Sequence, residues 1–389
     1  TLQYISLPDY IFRGLSGPPG GIGTDDSKYF YEAITGENVR PNLEPRPNGE
    51  VYFYSMTLLN SLADIIKLFK TVHPLDLILF NVLGLSFTPI FTSKVAQYLT
   101  NNNKVSRLVF TLTLVCPILM VNGLILIRDG WTAVLFIGAI YFLLQKRFIL
   151  LILTCLFLYQ IRVGSAALLI LLLVIIGVYL FKEYKTSLEK KGLVFILSTL
   201  VLIPIFGAII PILLDYFYLK GFSFSNLFRS QFVEGFMTRS VEESGEPSIF
   251  YTINQQPPLI RVPLAFLYFF GAPFLSLGFY NDGVFIPRYF IQQAFSVLFL
   301  IFYVRYFING LHYSWKFNEK KILLLIILFA ISVLILSQMS LQFRHKTMIM
   351  PLFYILVAYG YYNHTRLGNQ IGIIAASILL VVEMIVLFI

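Results

Sequence analysis

The chain reads as an all-α, polytopic membrane protein with about ten transmembrane helices plus interfacial or re-entrant helices. Three observations predict this. Of 389 residues, 57% are hydrophobic and only 13% are charged, against roughly a quarter charged in soluble domains. Mean hydropathy is +0.77. Apolar runs of about 17–25 residues recur along the chain, each long enough to cross a bilayer core.

Taken in order, residues 1–50 form a polar, Pro- and Gly-rich segment that holds an acidic turn, "GGIGTDDSKYFYEAI". The chain begins at Thr1 without Met, and an upstream signal anchor or first transmembrane helix is one expectation this raises. Residues 51–70, "VYFYSMTLLNSLADIIKLFK", place Thr57, Asn60, Ser61, Asp64 and Lys67 at steps of three and four. That spacing gives one polar stripe, and the segment reads as an amphipathic interfacial helix. A first bundle over 76–214 contains spans at 76–98, 106–127, 130–145, 148–161, 164–181 and 192–214. A second polar loop follows over 215–258. Residues 259–283 carry Arg261, Pro263, Gly271 and Pro273 and read as a broken, interfacial or re-entrant segment. The second bundle, 286–389, contains spans at 286–304, 321–340, 347–362 and 368–389.

Charge sets the orientation. With residues 1–50 outside, the inner connections fall near 99–105, 145–147, 182–191, 305–320 and 363–367. With their flanks they hold Lys104, Arg107, Lys146, Arg147, Lys182, Lys185, Lys190, Lys191, Arg305, Lys316, Lys320, Lys321 and Arg366. Only Glu183, Glu189 and Glu319 oppose them. This asymmetry agrees with the positive-inside rule if 51–70 and 259–283 do not cross. It also accounts for the net charge of +9 without nucleic acid, since no soluble basic patch interleaved with aromatics is present. The two cysteines, Cys116 and Cys155, lie inside apolar runs. No CxxC, HExxH or P-loop pattern occurs, so no cofactor is indicated; a divalent metal stays open as an addition to the acidic turn.

Several charges fall at the outer ends of spans, against the side that the rule favours for cations. "ILIRDGW" holds Arg128 and Asp129, "YQIRVGS" holds Arg162, and "LQFRHKTMIMP" holds Arg344, His345 and Lys346. Asp25 and Asp26 lie on the same side. Arginine binds phosphate through a planar, permanently charged fork. A neighbouring carboxylate could take the proton from an attacking hydroxyl while cations stabilise a departing phosphate. Plainer readings stand beside this one. Asp25 and Asp26 could cap the following helix, Arg128 and Asp129 could pair locally, and Arg162 or the 344–346 cluster could reach lipid phosphates. The 215–258 loop, with Arg229, Glu234 and Arg239, reads either as a solvated loop or as a surface for a glycan acceptor.

"GTDDSKYFYEAI", "NGLILIRDGWTAVLFIGAIYFLLQKR" and "IRVGSAALLI" resemble the ordered pattern of bacterial polysaccharide polymerases of the Wzy and exopolysaccharide-polymerase type. "FRHKTMIMPLFYILVAYG" is similar to a late stretch of GT-C-type membrane glycosyltransferases. The resemblance implies a GT-C-like multispan fold in the bacterial inner membrane, with its active face outside the cytoplasm. It implies transfer of sugar units from a polyprenyl-(pyro)phosphate-linked donor to a glycan acceptor during assembly of O-antigen, capsule or exopolysaccharide, alongside other polysaccharide-assembly proteins. By that analogy Asp25 or Asp26 is the acid. Arg128, Arg162, Arg344 and His345 bind donor phosphate, and Asp129, Lys346 and Arg261 support them. One departure is that Asp129 follows Arg128 where the polymerase pattern reads "IRQ". Another function class is a transporter or flippase for a lipid-linked oligosaccharide, which would place ionisable residues near the bilayer midplane.

Overall fold

Long apolar stretches form helices wherever proline, or a left-handed residue, does not interrupt them. The computed structural model describes residues 25–36, 53–124, 126, 128–183, 191–192, 194, 196, 198–199, 253, 256–271, 280–281, 284–285, 294–339 and 343–388. Arg229, Glu234 and Arg239, nearly all of the 215–258 loop, and most of the 192–214 span lie outside the described residues.

Helix α1 covers Asp25–Thr35. A π-helical turn, Phe53–Leu59, runs directly into α2, Asn60–Lys67. The long α3, Pro74–Thr100, has clear start and stop signals. The His73 ring accepts from the Leu75 N–H while the Asp76 carboxylate accepts from the His73 N–H. This is a capping box with proline in the first helical turn, where its missing N–H costs nothing. Asn101 then ends α3 in the left-handed region, φ 49°. Asn102 caps α4, Asn103–Leu114, through its side-chain oxygen.

Further along come α5, Pro117–Leu124; α6, Asp129–Leu144; α7, Phe148–Ile161; and α8, Val163–Glu183. Helix α9, Pro258–Gly271, precedes a two-residue antiparallel ladder pairing Tyr280–Asn281 with Val284–Phe285. Helix α10 runs Ala294–Phe317 with a π-helical turn at Phe299–Tyr303. It is followed by α11, Lys320–Met339, a 3-10 turn at Phe343–Met348, α12, Met350–Tyr362, and α13, Arg366–Phe388.

Four helical stretches among the described residues are long and apolar enough to cross a membrane: Pro74–Thr100, Gly164–Lys182, Ala294–Phe317 and Lys320–Ser337. They give the chain the character of a helical membrane protein. The other apolar helices are shorter; the 14 residues of α7 reach only about 21 Å at ~1.5 Å per residue.

Two expected elements differ. The span at 106–127 is two helices, because Pro117 cannot continue the ladder of α4 and instead opens α5. The expected span 286–304 and inner connection 305–320 are largely one helix, α10, which continues through Arg305 to Phe317. Arg305 is therefore a mid-helix residue and not part of a connection. Within 259–283, Pro263 sits inside the continuous α9 without breaking it.

Side-chain contacts fix the helix directions. Asn81 meets Trp131 and Phe91 meets Tyr141, so α3 and α6 run parallel. Lys321 lies over the Tyr98 ring, which brings the start of α11 to the end of α3. Tyr313 packs on Tyr359 and His312 meets Thr365, which adds the ends of α10 and α12. The bundle thus has one end carrying Pro74, Arg128, Arg162 and the 343–348 turn. The opposite end carries the turns at 101–102, 145–147, 318–319 and 363–365. Lys104, Arg107, Lys146, Arg147, Lys316, Lys320, Lys321 and Arg366 cluster at this second end.

One hydrophobic cluster runs through both halves of the chain. Its centre is aromatic: Phe353 contacts Phe270, Phe299, Phe307 and Phe329. Helices α10 and α12 cross backbone to backbone at Gly310 and Gly360. A Cβ at Gly310 would stand 2.8 Å from the Leu356 carbonyl oxygen, and one at Gly360 would collide with that of Tyr306. Small residues permit this approach, and in lipid such close packing replaces the hydrophobic drive between helices.

Candidate functional site

The first bundle end is built from helix termini. The backbone of Arg128 opens α6: its carbonyl accepts from the Thr132 N–H at 3.0 Å and the Thr132 hydroxyl at 3.1 Å. Asp129 is the first helical residue, so its carboxylate stands where the helix dipole favours negative charge. It is buried, at 4% exposure.

Across from it, Arg162 holds an extended conformation (φ −161°, ψ 97°) between α7 and α8. Its Nη1 pairs with Asp129 Oδ1 at 2.5 Å. Arg128 turns the other way and donates through Nη1 to the Ile161 carbonyl oxygen at 3.0 Å. That carbonyl belongs to the last turn of α7, whose acceptors lack intrahelical partners and carry the negative end of the dipole. The two arginines and one aspartate therefore cross-link the start of α6 to the α7–α8 turn. Asp129 binds the distant Arg162, so the expected local Arg128–Asp129 ion pair gives way to this crossed arrangement.

Helix α1 and the π-helical turn sit on this same end. Tyr54 is fully buried and donates its hydroxyl to Asn81 Oδ1 at 2.8 Å; the same oxygen accepts from Trp131 Nε1 at 3.1 Å. Burial holds the Tyr54 phenol well above its ordinary pKa, against the opposing pull of its hydrogen bond to Asn81. Gly84 leaves room for the indole, since a Cβ there would lie 2.8 Å from it. Trp131 packs against Phe80 and Phe157, and Phe157 meets Phe53 edge-on. Tyr29 of α1 meets Tyr54 edge-on at 5.5 Å. Asn60 and Lys67 of α2 donate to the carbonyls of Ala33 and Ile34. A small second core of Tyr29, Phe30, Ala33, Tyr54, Leu59, Leu77 and Leu126 seals the contact.

Asp25 and Asp26 are the first two residues of α1, a position compatible with either reading given to them. Glu32, on the same helix, is fully buried. Sequence reasoning missed it, although a glutamate inside the apolar run "YFYEAI" was a usable signal.

The 343–348 turn packs on α5 and α6. Asn122 Nδ2 donates to the Thr347 hydroxyl. Lys346 is buried at 4% exposure, donates to the Phe270 carbonyl oxygen at 2.9 Å and lies over the Phe269 ring. It thus satisfies the C-terminus of α9. The apolar cavity beside it holds about 20 Å³ and is walled by phenylalanines. His345 is half-buried in the same turn and Arg344 precedes it. Arg261 lies on α9, nine residues before Phe270, with its Nε buried and lacking an acceptor among the described residues.

The structure thus gathers Arg128, Asp129, Arg162, the 344–346 turn and α1 at one end. Neither Arg261 nor the residues of the 215–258 loop are shown to join them. Among the described residues, no three His, Cys, Asp or Glu side chains gather as a metal site. No protein-family model, curated protein or solved structure matches this chain.

Proposed function

We propose that this chain is a polytopic membrane glycosyltransferase or polysaccharide polymerase, with about ten spans and a GT-C-like arrangement. In this reading it resides in a bacterial inner membrane with the Arg128–Arg162 end outside the cytoplasm. It moves sugar units from a polyprenyl-(pyro)phosphate-linked donor to a growing surface glycan. One observation carries the reading: four distant parts of the chain bring cations and the acidic start of α1 to one end, while a cluster of lysines and arginines collects at the other.

Donor phosphate would meet Arg128, Arg162, Arg344 and His345. Arg162 offers a pre-oriented fork, because Asp129 occupies one of its five donors and fixes the plane of the rest. Asp25 or Asp26 would accept the proton of the attacking hydroxyl. The test is to incubate purified protein with a panel of polyprenyl-pyrophosphate-linked sugars and size the glycans. A ladder of products identifies a polymerase and one added unit a transferase. Asp25→Asn or Asp26→Asn should remove product by about a hundredfold or more at unchanged protein level. Full activity in both variants, with loss in Glu32→Gln, would move the acid to the buried glutamate. No product from any donor would count against the enzyme reading.

A further inference from the structure

Arg305 is the twelfth of the 24 residues of α10 and lies level with the first turns of α13: its side chain reaches Asn369, and a Cβ on Gly372 would stand 2.6 Å from its carbonyl oxygen. It therefore lies within about 10 Å of the Thr365 turn at ~1.5 Å per residue, toward the lysine-rich end of the bundle. Its Nε donates to Asn369 Oδ1 at 2.6 Å, and its guanidinium lies beside the Tyr306 ring. No carboxylate among the described residues pairs with it, and its Nη groups have no acceptor among them. The Asn369 oxygen also receives Asn309 Nδ2 at 3.4 Å, while Asn309 Oδ1 is buried without a donor among the described residues. The amides hold the guanidinium in place without neutralising it.

The backbone in front of Arg305 is irregular. The π-helical turn Phe299–Tyr303 inserts an extra residue one turn earlier, a device common at functional sites. Between α10 and α13 lies a hollow of about 330 Å³, with Arg305 at one end and Leu300, Ile301, Ile373, Ala376 and Leu380 along its walls. Ile301, Ile373 and Leu380 are exposed on its rim, so the hollow opens sideways, toward the surface that lipid would cover.

A fixed, charged fork at the head of an aliphatic trough fits one kind of ligand: an amphiphile whose phosphoester meets the guanidinium while its hydrocarbon chain lies along the trough. We propose that Arg305 and the α10–α13 hollow form a lateral binding site for a phosphate-bearing lipid, either a bilayer phospholipid or an isoprenyl phosphate. The site is separate from the Arg128–Arg162 end and does not depend on the transferase reading.

Native mass spectrometry of the detergent-purified full chain tests this, with phosphatidylglycerol, undecaprenyl phosphate and inorganic phosphate as separate probes. The wild type should retain at least one of the two lipids. Arg305→Gln keeps a donor for Asn369 and removes the charge, so retention should fall on the order of tenfold. Ala376→Phe fills the trough while leaving the charge, and should lower lipid retention by a similar factor. Arg305→Lys should fall between, since it keeps charge without the fork. Preference for undecaprenyl phosphate would assign the site to an isoprenyl carrier, and equal retention of both lipids to bilayer phospholipid chemistry. If Arg305→Gln does not fold, Ala376→Phe carries the test alone. Lipid retention within about twofold of wild type in both variants would overturn the proposal. Inorganic phosphate held as well as the lipids would do the same.

Discussion

The two arginine-bearing regions solve the same electrostatic problem differently. At the bundle end, Arg162 is matched by Asp129 at 2.5 Å and Arg128 by the terminal carbonyl of α7. Helix ends supply both the negative partner and a route to water, so the charges there double as structural cross-links. Midway along α10, Arg305 is held by one amide oxygen and matched by no described carboxylate. A charge that is paired serves the fold whatever else it does, whereas a charge that is positioned and left unmatched points to a ligand.

The sharpest way to break that contrast is at Asp129. Asp129→Ala would leave Arg162 nearly buried and unmatched, and should cost about 3 kcal/mol of stability or more. Arg162→Ala should cost a comparable amount. The double variant should be less damaged than the sum, because removing both charges removes the unpaired one. Thermal unfolding in detergent checks this; simple additivity would mean that the pair contributes nothing to the fold.

A smaller effect is expected at Tyr54→Phe, about 1 kcal/mol. Asn81 keeps its bond from Trp131, so only one of two donors is lost. A loss above about 3 kcal/mol would show that the phenol does more than anchor the π-helical turn and α1 onto the bundle end.

Much of this arrangement was legible in the sequence. "IRDGW" and "YQIRVG" marked turns at one end because a charge bounded by apolar runs must sit where a helix stops. What could not be read was which charge meets which. The Arg162–Asp129 pair joins residues 33 positions apart, and only the side-by-side placement of α6 and α7 creates it. The continuation of α10 through Arg305 was hidden for a physical reason. Arg305, Asn309 and His312 made "VRYFINGLHYSWKF" look like a polar connection, yet they are spaced by four and three and share one helical face. Their partners, Asn369 and Thr365, face them from the start of α13. The same spacing marks 51–70 as a helix, and the structure is helical over 53–67. In 106–127 hydropathy hid Pro117, because proline ends a helix without lowering the apolar average.

In the proposed orientation, one end of the bundle faces outward with the acidic start of α1, and the lysine-rich end faces the cytoplasm. Single cysteines at Asp64 or Lys70, and at Gln145 or Glu319, probe it directly with a membrane-impermeant maleimide on intact cells. All four positions are exposed, and the native Cys116 and Cys155 are buried. Asp64→Cys and Lys70→Cys should label from outside, and Gln145→Cys and Glu319→Cys only after permeabilisation. Labelling of both sets from the same side, or the reverse pattern, would overturn this orientation.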